Sequence, residues 1–315
     1  MLLPAISGGS SLVGQTAAVA TAALWTACAI LFASAGRRIG ALSVNAYRIV
    51  MGMVLLGLAH LVLRGSPVPH ATGAQWFYMG LSGVIGLALG DFGYFGSLVL
   101  IGPRRGVLLM SMAPIFSSVT AYLVLGEVPS AWNLAGIALV LGGVAIVILD
   151  ENLHESEVAL TRKHAVYGVL CGLAGSMGQG IGLVVSKYGM MAAGGPGAPP
   201  LNPLSATLIR MTVAAGFVWV TVAVSGRLPG VLAARRNGKA MLRTLAGATS
   251  GPFLGVWLSM VAVTYTVAGV AATLMALMPV MVIPVLWLVY RQRTSWRGML
   301  GAAVTVAGVA ILFLL

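Results

Sequence analysis

Apolar stretches of about 20 residues recur almost from end to end of this 315-residue chain, and each is long enough to cross a bilayer as a helix. A hydrocarbon core offers the backbone no water to bond, so only helices and closed barrels span it. Barrel strands need only ~9–11 residues, so runs of this length select helices. The composition agrees: 59% of residues are hydrophobic and 8% charged, where soluble domains carry about a quarter charged.

Hydropathy and helix breakers predict spans near 12–35, 41–63, 75–99, 105–126 and 131–149, then 165–189, 203–225, 243–266, 269–290 and 296–315. The expected organisation is therefore a first five-helix unit over 1–150, a polar connection over 151–164 and a second unit over 165–315. Four of the six acidic residues fall between 150 and 164, which marks this connection as the boundary. Two other connections are long, 190–202 and 225–243, and the second has room for a short surface helix. The first apolar run has no basic stretch before it and no small-residue cleavage pattern after it. It reads as a retained helix of a bacterial inner-membrane protein and not as a signal peptide.

The halves repeat. Moving 86–149 forward by 165 positions lays Gly86 on Gly251, Gly90 on Gly255, Pro114 on Pro279, Leu123 on Leu288, Gly136 on Gly301 and Gly143 on Gly308 without a gap. At a shift of 162, Leu42, Ser43 and Arg48 fall on Leu204, Ser205 and Arg210. Because five is odd, the second unit enters the membrane from the opposite face. The fold class expected is all-α, ten transmembrane helices as two inverted five-helix repeats, an architecture that secondary transporters use to exchange inward- and outward-open shapes.

In this ordered frame the chain resembles the ten-helix, EamA-type branch of the drug/metabolite transporter superfamily. The likeness is carried by Arg48 near the start of helix 2, Ala113-Pro114-Ile115 and Leu125-Gly126-Glu127 in helix 4, and Gly136 with Gly142-Gly143 in helix 5. It returns with Arg210, Met278-Pro279-Val280, Gly301 and Gly308. Gln292 departs from the pattern, standing where the first half has Glu127. The resemblance implies a basket with a cavity lined by helices 1, 3, 4, 6, 8 and 9, and helices 5 and 10 outside. It names no cargo, because one fold carries many substrates.

Three charged residues fall well inside predicted spans: Arg48, Asp91 and Arg210. Each costs at least about 2.5 kcal/mol there unless paired or hydrated, which makes them the leading substrate-binding or coupling candidates. Arg48 and Asp91 both lie about eight residues, roughly 12 Å, from the face that helices 2 and 3 share, within pairing reach. Asp91, the one carboxylate inside a predicted span, is the natural proton carrier; the alternative is a permanent pair that fixes helix packing. Arg210 suits a cargo carboxylate, or else bonds backbone carbonyls or snorkels to the nearer interface. Trp25, Tyr94, Gln179, Trp257 and Tyr265 would wall a cavity for a cargo with an apolar body and a charged end, and each also suits ordinary core packing. Pro114, Pro252, Pro279 and Pro284 each free a backbone carbonyl where a gate would flex, and suit static kinks equally.

The function expected is a secondary active exporter or exchanger of a small polar metabolite such as an amino acid, working by alternating access, with protons as a candidate coupling ion. A channel-like facilitator is the alternative. An intramembrane enzyme has less support: there is no His-Glu metal pair, no Gly-x-Ser-x-Gly elbow and no carboxylate pair. His60 looks isolated, and Cys28 and Cys171 lack metal-ligand spacing, so neither a metal nor a cofactor is expected. The net charge of +12 is scattered over short connections, which fits anionic lipid and not nucleic acid. The partners expected are cargo, bilayer and protons, for a monomer or homodimer.

Fourteen Lys and Arg residues fall in odd-numbered connections, against Arg64 and Lys187 in even ones. The positive-inside rule then puts both termini away from the cytoplasm. The family resemblance implies the reverse.

Overall fold

The computed structural model describes residues 8–101, 103–148, 162–191, 193–195, 199–281 and 295–314. Pro284, Leu288, Gln292 and most of the acidic connection lie outside these residues. Helices α1 (Gly8–Ile39) and α2 (Ala41–Arg64) are followed by α3, built of Gly73–Ser82, a π-helical stretch Gly83–Gly90, and Asp91–Ile101. Helix α4 is Pro103–Met110 and Ala113–Leu125, and α5 is Ala131–Ile148. The second unit has α6 (Arg162–Met191) and α7 (Pro203–Val224). Helix α8 follows as Gly238–Ala248, a π-helical stretch Thr249–Gly255, and Val256–Tyr265. Helix α9 is described over Ala268–Met281 and α10 over Trp296–Leu314. A short helix, Leu228–Ala234, sits in the basic connection before α8. Nine of these are long and apolar enough to cross a membrane, and the described part of α9 adds a shorter apolar helix.

Local chemistry sets the ends. Thr72 and Gln75 form a reciprocal capping box at the start of α3, satisfying amides that a helix leaves open. Asn202 followed by Pro203 starts α7 in the same spirit. Gly65 and Gly126 end α2 and α4 at φ 72° and 67°, left-handed conformations that a side chain would strain.

The two-fold relation is visible in the interruptions. The π-helical stretches of α3 and α8 occupy matching places in the two units. So do the breaks in α4 and α9: turns at Ser111-Met112 and at Ala276-Leu277 precede Pro114 and Pro279 by the same distance. The packing repeats too. Contacts of α1 with α8 and α9, and of α2 with α8, reappear as α6 with α3 and α4, and α7 with α3. Helices α2, α4 and α5 each pack on their own mates α7, α9 and α10.

These mates run antiparallel. Gly136 faces Gly308 while Gly143 faces Gly301; Trp219 Nε1 donates to Ala46 O at 3.2 Å while His60 Nε2 meets Ser205 Oγ at 2.9 Å. Equivalent helices pointing in opposite directions make the repeats inverted. Small residues let the backbones approach, the main source of attraction where lipid is as apolar as the side chains. On α3 and α6, Gly93 meets Gly175, Gly90 meets Gln179 and Gly86 meets Gly182.

Three expectations need correction. Helix α8 begins at Gly238 and not near 243, because Asn237 caps it by accepting from Ala240 N at 3.1 Å. His60 is not isolated: its ring bridges Ser205 Oγ and Ser66 O, tying the end of α2 to the start of α7. Lys187 is not in a connection but inside α6, its side chain 1% exposed.

Candidate functional site

Three charged side chains, Arg48, Asp91 and Arg210, gather around the π-helical stretch of α3. A π-turn widens the helix and turns backbone carbonyls out of the regular ladder, and such turns recur at functional sites. Asp91 follows the stretch directly and is 8% exposed. One carboxylate oxygen is ion-paired with Arg48 Nη2 from α2. The other accepts from Gln179 Nε2 of α6 at 2.9 Å, and the same amide donates to Gly86 O at 3.1 Å. Gln179 thus ties the carboxylate to the open backbone.

Arg48 has other partners ready. Its Nε donates to Asn45 Oδ1 at 2.8 Å, and its guanidinium lies 5.6 Å from the ring centroids of both Phe32 and Phe95. Two rings at that distance hold a cation by their quadrupoles.

Arg210 approaches the same stretch from α7. It is 3% exposed; its Nη1 meets Met260 Sδ at 3.1 Å, and its Nε has no hydrogen-bond partner among the described residues. A Cβ on Gly86 would stand 3.3 Å from Arg210 Nη2, so glycine there leaves the guanidinium its place beside α3. A thioether is a weak acceptor, which leaves this cation with unspent donor capacity.

The matching stretch of α8 is lined differently. Gly90 meets Gln179, but at its mate Gly255 a Cβ would stand 2.7 Å from the Trp25 ring; Gly86 meets Arg210, but its mate Gly251 meets Cys28 and Phe32. Trp257 stacks on Phe253 with centroids 6.1 Å apart. The stretch in α3 is therefore faced by polar and charged groups and the stretch in α8 by mostly aromatic ones.

Of the residues singled out from sequence, the fold brings Arg48, Asp91, Gln179 and Arg210 together around α3, with Tyr94 one turn beyond Asp91. Trp25 and Trp257 lie on the aromatic side. Tyr265 ends α8, is 40% exposed and stands apart from the buried cluster. Pro252 sits inside the π-helical stretch of α8, packed against Gly52. Pro114 and Pro279 begin the helical segments after the two breaks.

Sequence reasoning missed a second charged cluster. Lys187 Nζ pairs with Glu127 Oε1 at 2.5 Å and donates to Thr266 O at 2.6 Å, while Glu127 Oε2 accepts from Ala268 N at 2.8 Å. The signal was present, since Lys187 falls inside an apolar run. Elsewhere, an open cavity of about 620 Å³ on the odd-connection face is lined in part by Arg38, Arg236 and Lys239, away from Asp91. No group of His, Cys, Asp and Glu suited to a metal occurs among the described residues.

Comparison with known proteins settles the family. The sequence profile of the EamA-like transporter family matches residues 12–149 and again 166–314. The chain belongs to the EamA-like transporter family. It is an integral, multi-pass membrane protein, and its family's members move small molecules across membranes. No curated protein matches it. A protein of known crystal structure is similar in fold, with TM-score 0.73 and 18% identity over 96% of each chain. At that identity the likeness extends to the fold alone.

Proposed function

We propose that this EamA-like protein is a secondary active transporter of a bacterial inner membrane, exporting or exchanging a small polar metabolite, such as an amino acid, by alternating access. Asp91 couples the cycle to protons and Arg48 is its alternating partner. The observation that supports this most is the placement of Asp91, held by groups from two other helices beside a π-helical stretch where two inverted halves meet.

A carboxylate in a low-dielectric site has two stable conditions, ionised beside a cation or neutral without one. Ionised, Asp91 holds Arg48 and draws α2 to α3. When a proton reaches its carboxylate the attraction is lost, and the guanidinium rests on Phe32 and Phe95. Because the pair joins two helices, taking up or releasing that proton favours one placement of α2 relative to α3 over the other. Arg210, with donors to spare, receives an anionic end of the cargo, and the Trp25 and Trp257 side receives its apolar part.

The test is radiolabelled counterflow in proteoliposomes against a panel of amino acids, followed by Asp91→Asn. Exchange of internal for external cargo is expected, because a carrier presents one site to each face in turn. Asp91→Asn should keep exchange while abolishing accumulation driven by a pH gradient. Flux that never trans-stimulates would indicate a channel-like facilitator. An unchanged accumulation profile in Asp91→Asn would leave the pair a structural one.

A further inference from the structure

The Lys187 and Glu127 cluster lies where the even-numbered connections gather. It joins four elements: the end of α4, the last turns of α6, the end of α8 at Thr266 and the start of α9 at Ala268. Immediately inward, Ala121, Val184 and Ala268 form a small apolar cluster backed by Leu125 and separate from the two larger cores. An apolar plug thus sits beneath a buried ion pair.

The arrangement has no counterpart in the other half's sequence. A shift of 165 takes Glu127 to Gln292, and moving Lys187 back by 165 or 162 reaches Ala22 or Trp25. In an exact inverted repeat the two end states would be equivalent by symmetry and equal in energy. Only positions where the halves differ can favour one of them.

We propose that Lys187 and Glu127 form a one-sided gate, closing the even-connection end of the transport route and making that closed shape the resting state. This rests on the alternating-access reading above. In the closed shape both carboxylate oxygens of Glu127 are used and Lys187 has two acceptors, so each charge has its partners within the protein. Opening separates α6 from the end of α4 and the α8–α9 joint, breaking the ion pair and the Lys187 bond to Thr266 O together while Glu127 still caps α9, and the plug beneath then meets water. Removing one partner leaves the other charge buried and unpaired, which is the costly change for such a pair.

The experiment reads the gate without cargo or gradient. In a background of Cys28→Ala and Cys171→Ala, Val184→Cys is exposed to a membrane-impermeant maleimide in lipid nanodiscs. Val184 is fully buried one turn inward of Lys187, so labelling should be slow. Glu127→Gln keeps an acceptor for Ala268 N but loses the charge; it and Lys187→Met should each speed labelling by roughly tenfold or more. The double variant, which leaves no unpaired charge, should label faster than the parent but no faster than the quicker single. The gate is overturned if the double matches the parent, or if the two single effects multiply in it. Counterflow that succeeds beside unchanged labelling would remove the gate and leave the transport reading standing.

Discussion

Gly143 and Gly301 pack reciprocally where α5 crosses α10: a Cβ on Gly143 would stand 2.6 Å from Gly301 O, and a Cβ on Gly301 2.8 Å from Gly143 O. Under the repeat relation this pair maps onto Gly308 and Gly136, which also touch. One two-fold relation thus fixes both contacts.

That crossing gives a stability prediction. Backbone cannot withdraw as a flexible side chain can, so Gly143→Leu or Gly301→Leu should lower the thermal unfolding midpoint in detergent. The cost should fall at or above the usual overpacking range of about 1–3 kcal/mol. Gly142→Leu is the control, since nothing lies within 4 Å of a Cβ there and no change is expected. Equal midpoints for Gly142→Leu and Gly143→Leu would contradict the packing described.

The Arg48 and Asp91 pair should be asymmetric under mutation. Arg48→Ala strands a buried carboxylate, and breaking such a pair from one side costs about 3–5 kcal/mol, so monodisperse yield and melting temperature should fall. Adding Asp91→Asn removes the stranded charge and should recover most of the loss. Size-exclusion profiles and melting curves of the two singles and the double would show it. A double variant worse than Arg48→Ala would mean that the two residues act separately.

Arg210 should discriminate cargo by charge. If it binds a carboxylate, Arg210→Gln should weaken the compound best exchanged in counterflow by about 10- to 150-fold, the equivalent of a charged hydrogen bond of about 1.5–3 kcal/mol. The corresponding amide should bind both proteins alike. Equal losses for acid and amide would make Arg210 a packing residue.

Orientation is open to a direct check. The structure removes Lys187 from the even connections, which sharpens the charge bias toward odd ones. By that rule Ser10→Cys should react with an impermeant reagent applied outside intact cells, and Gly238→Cys should not. The opposite pattern would place the termini in the cytoplasm, as the family resemblance implies.

Much of the fold was legible in the sequence for a physical reason. A bilayer fixes the length of each apolar run and penalises every charge within it, so spans, their number and the candidates Arg48, Asp91 and Arg210 follow from one-dimensional pattern. The paired prolines and glycines carried the repeat, and an odd helix count carried its inversion. What sequence could not supply was the rotation and register of one helix against another. Those decided that Gln179 completes the Asp91 site from 88 residues away, that Tyr265 stands outside it, and that Lys187 reaches both Glu127 and Thr266. They also placed a π-turn at the same depth in α3 and α8. Apolar periodicity is blind to such choices, because lipid and protein interior are almost equally apolar and only the tertiary contacts of small residues distinguish one helix face from another.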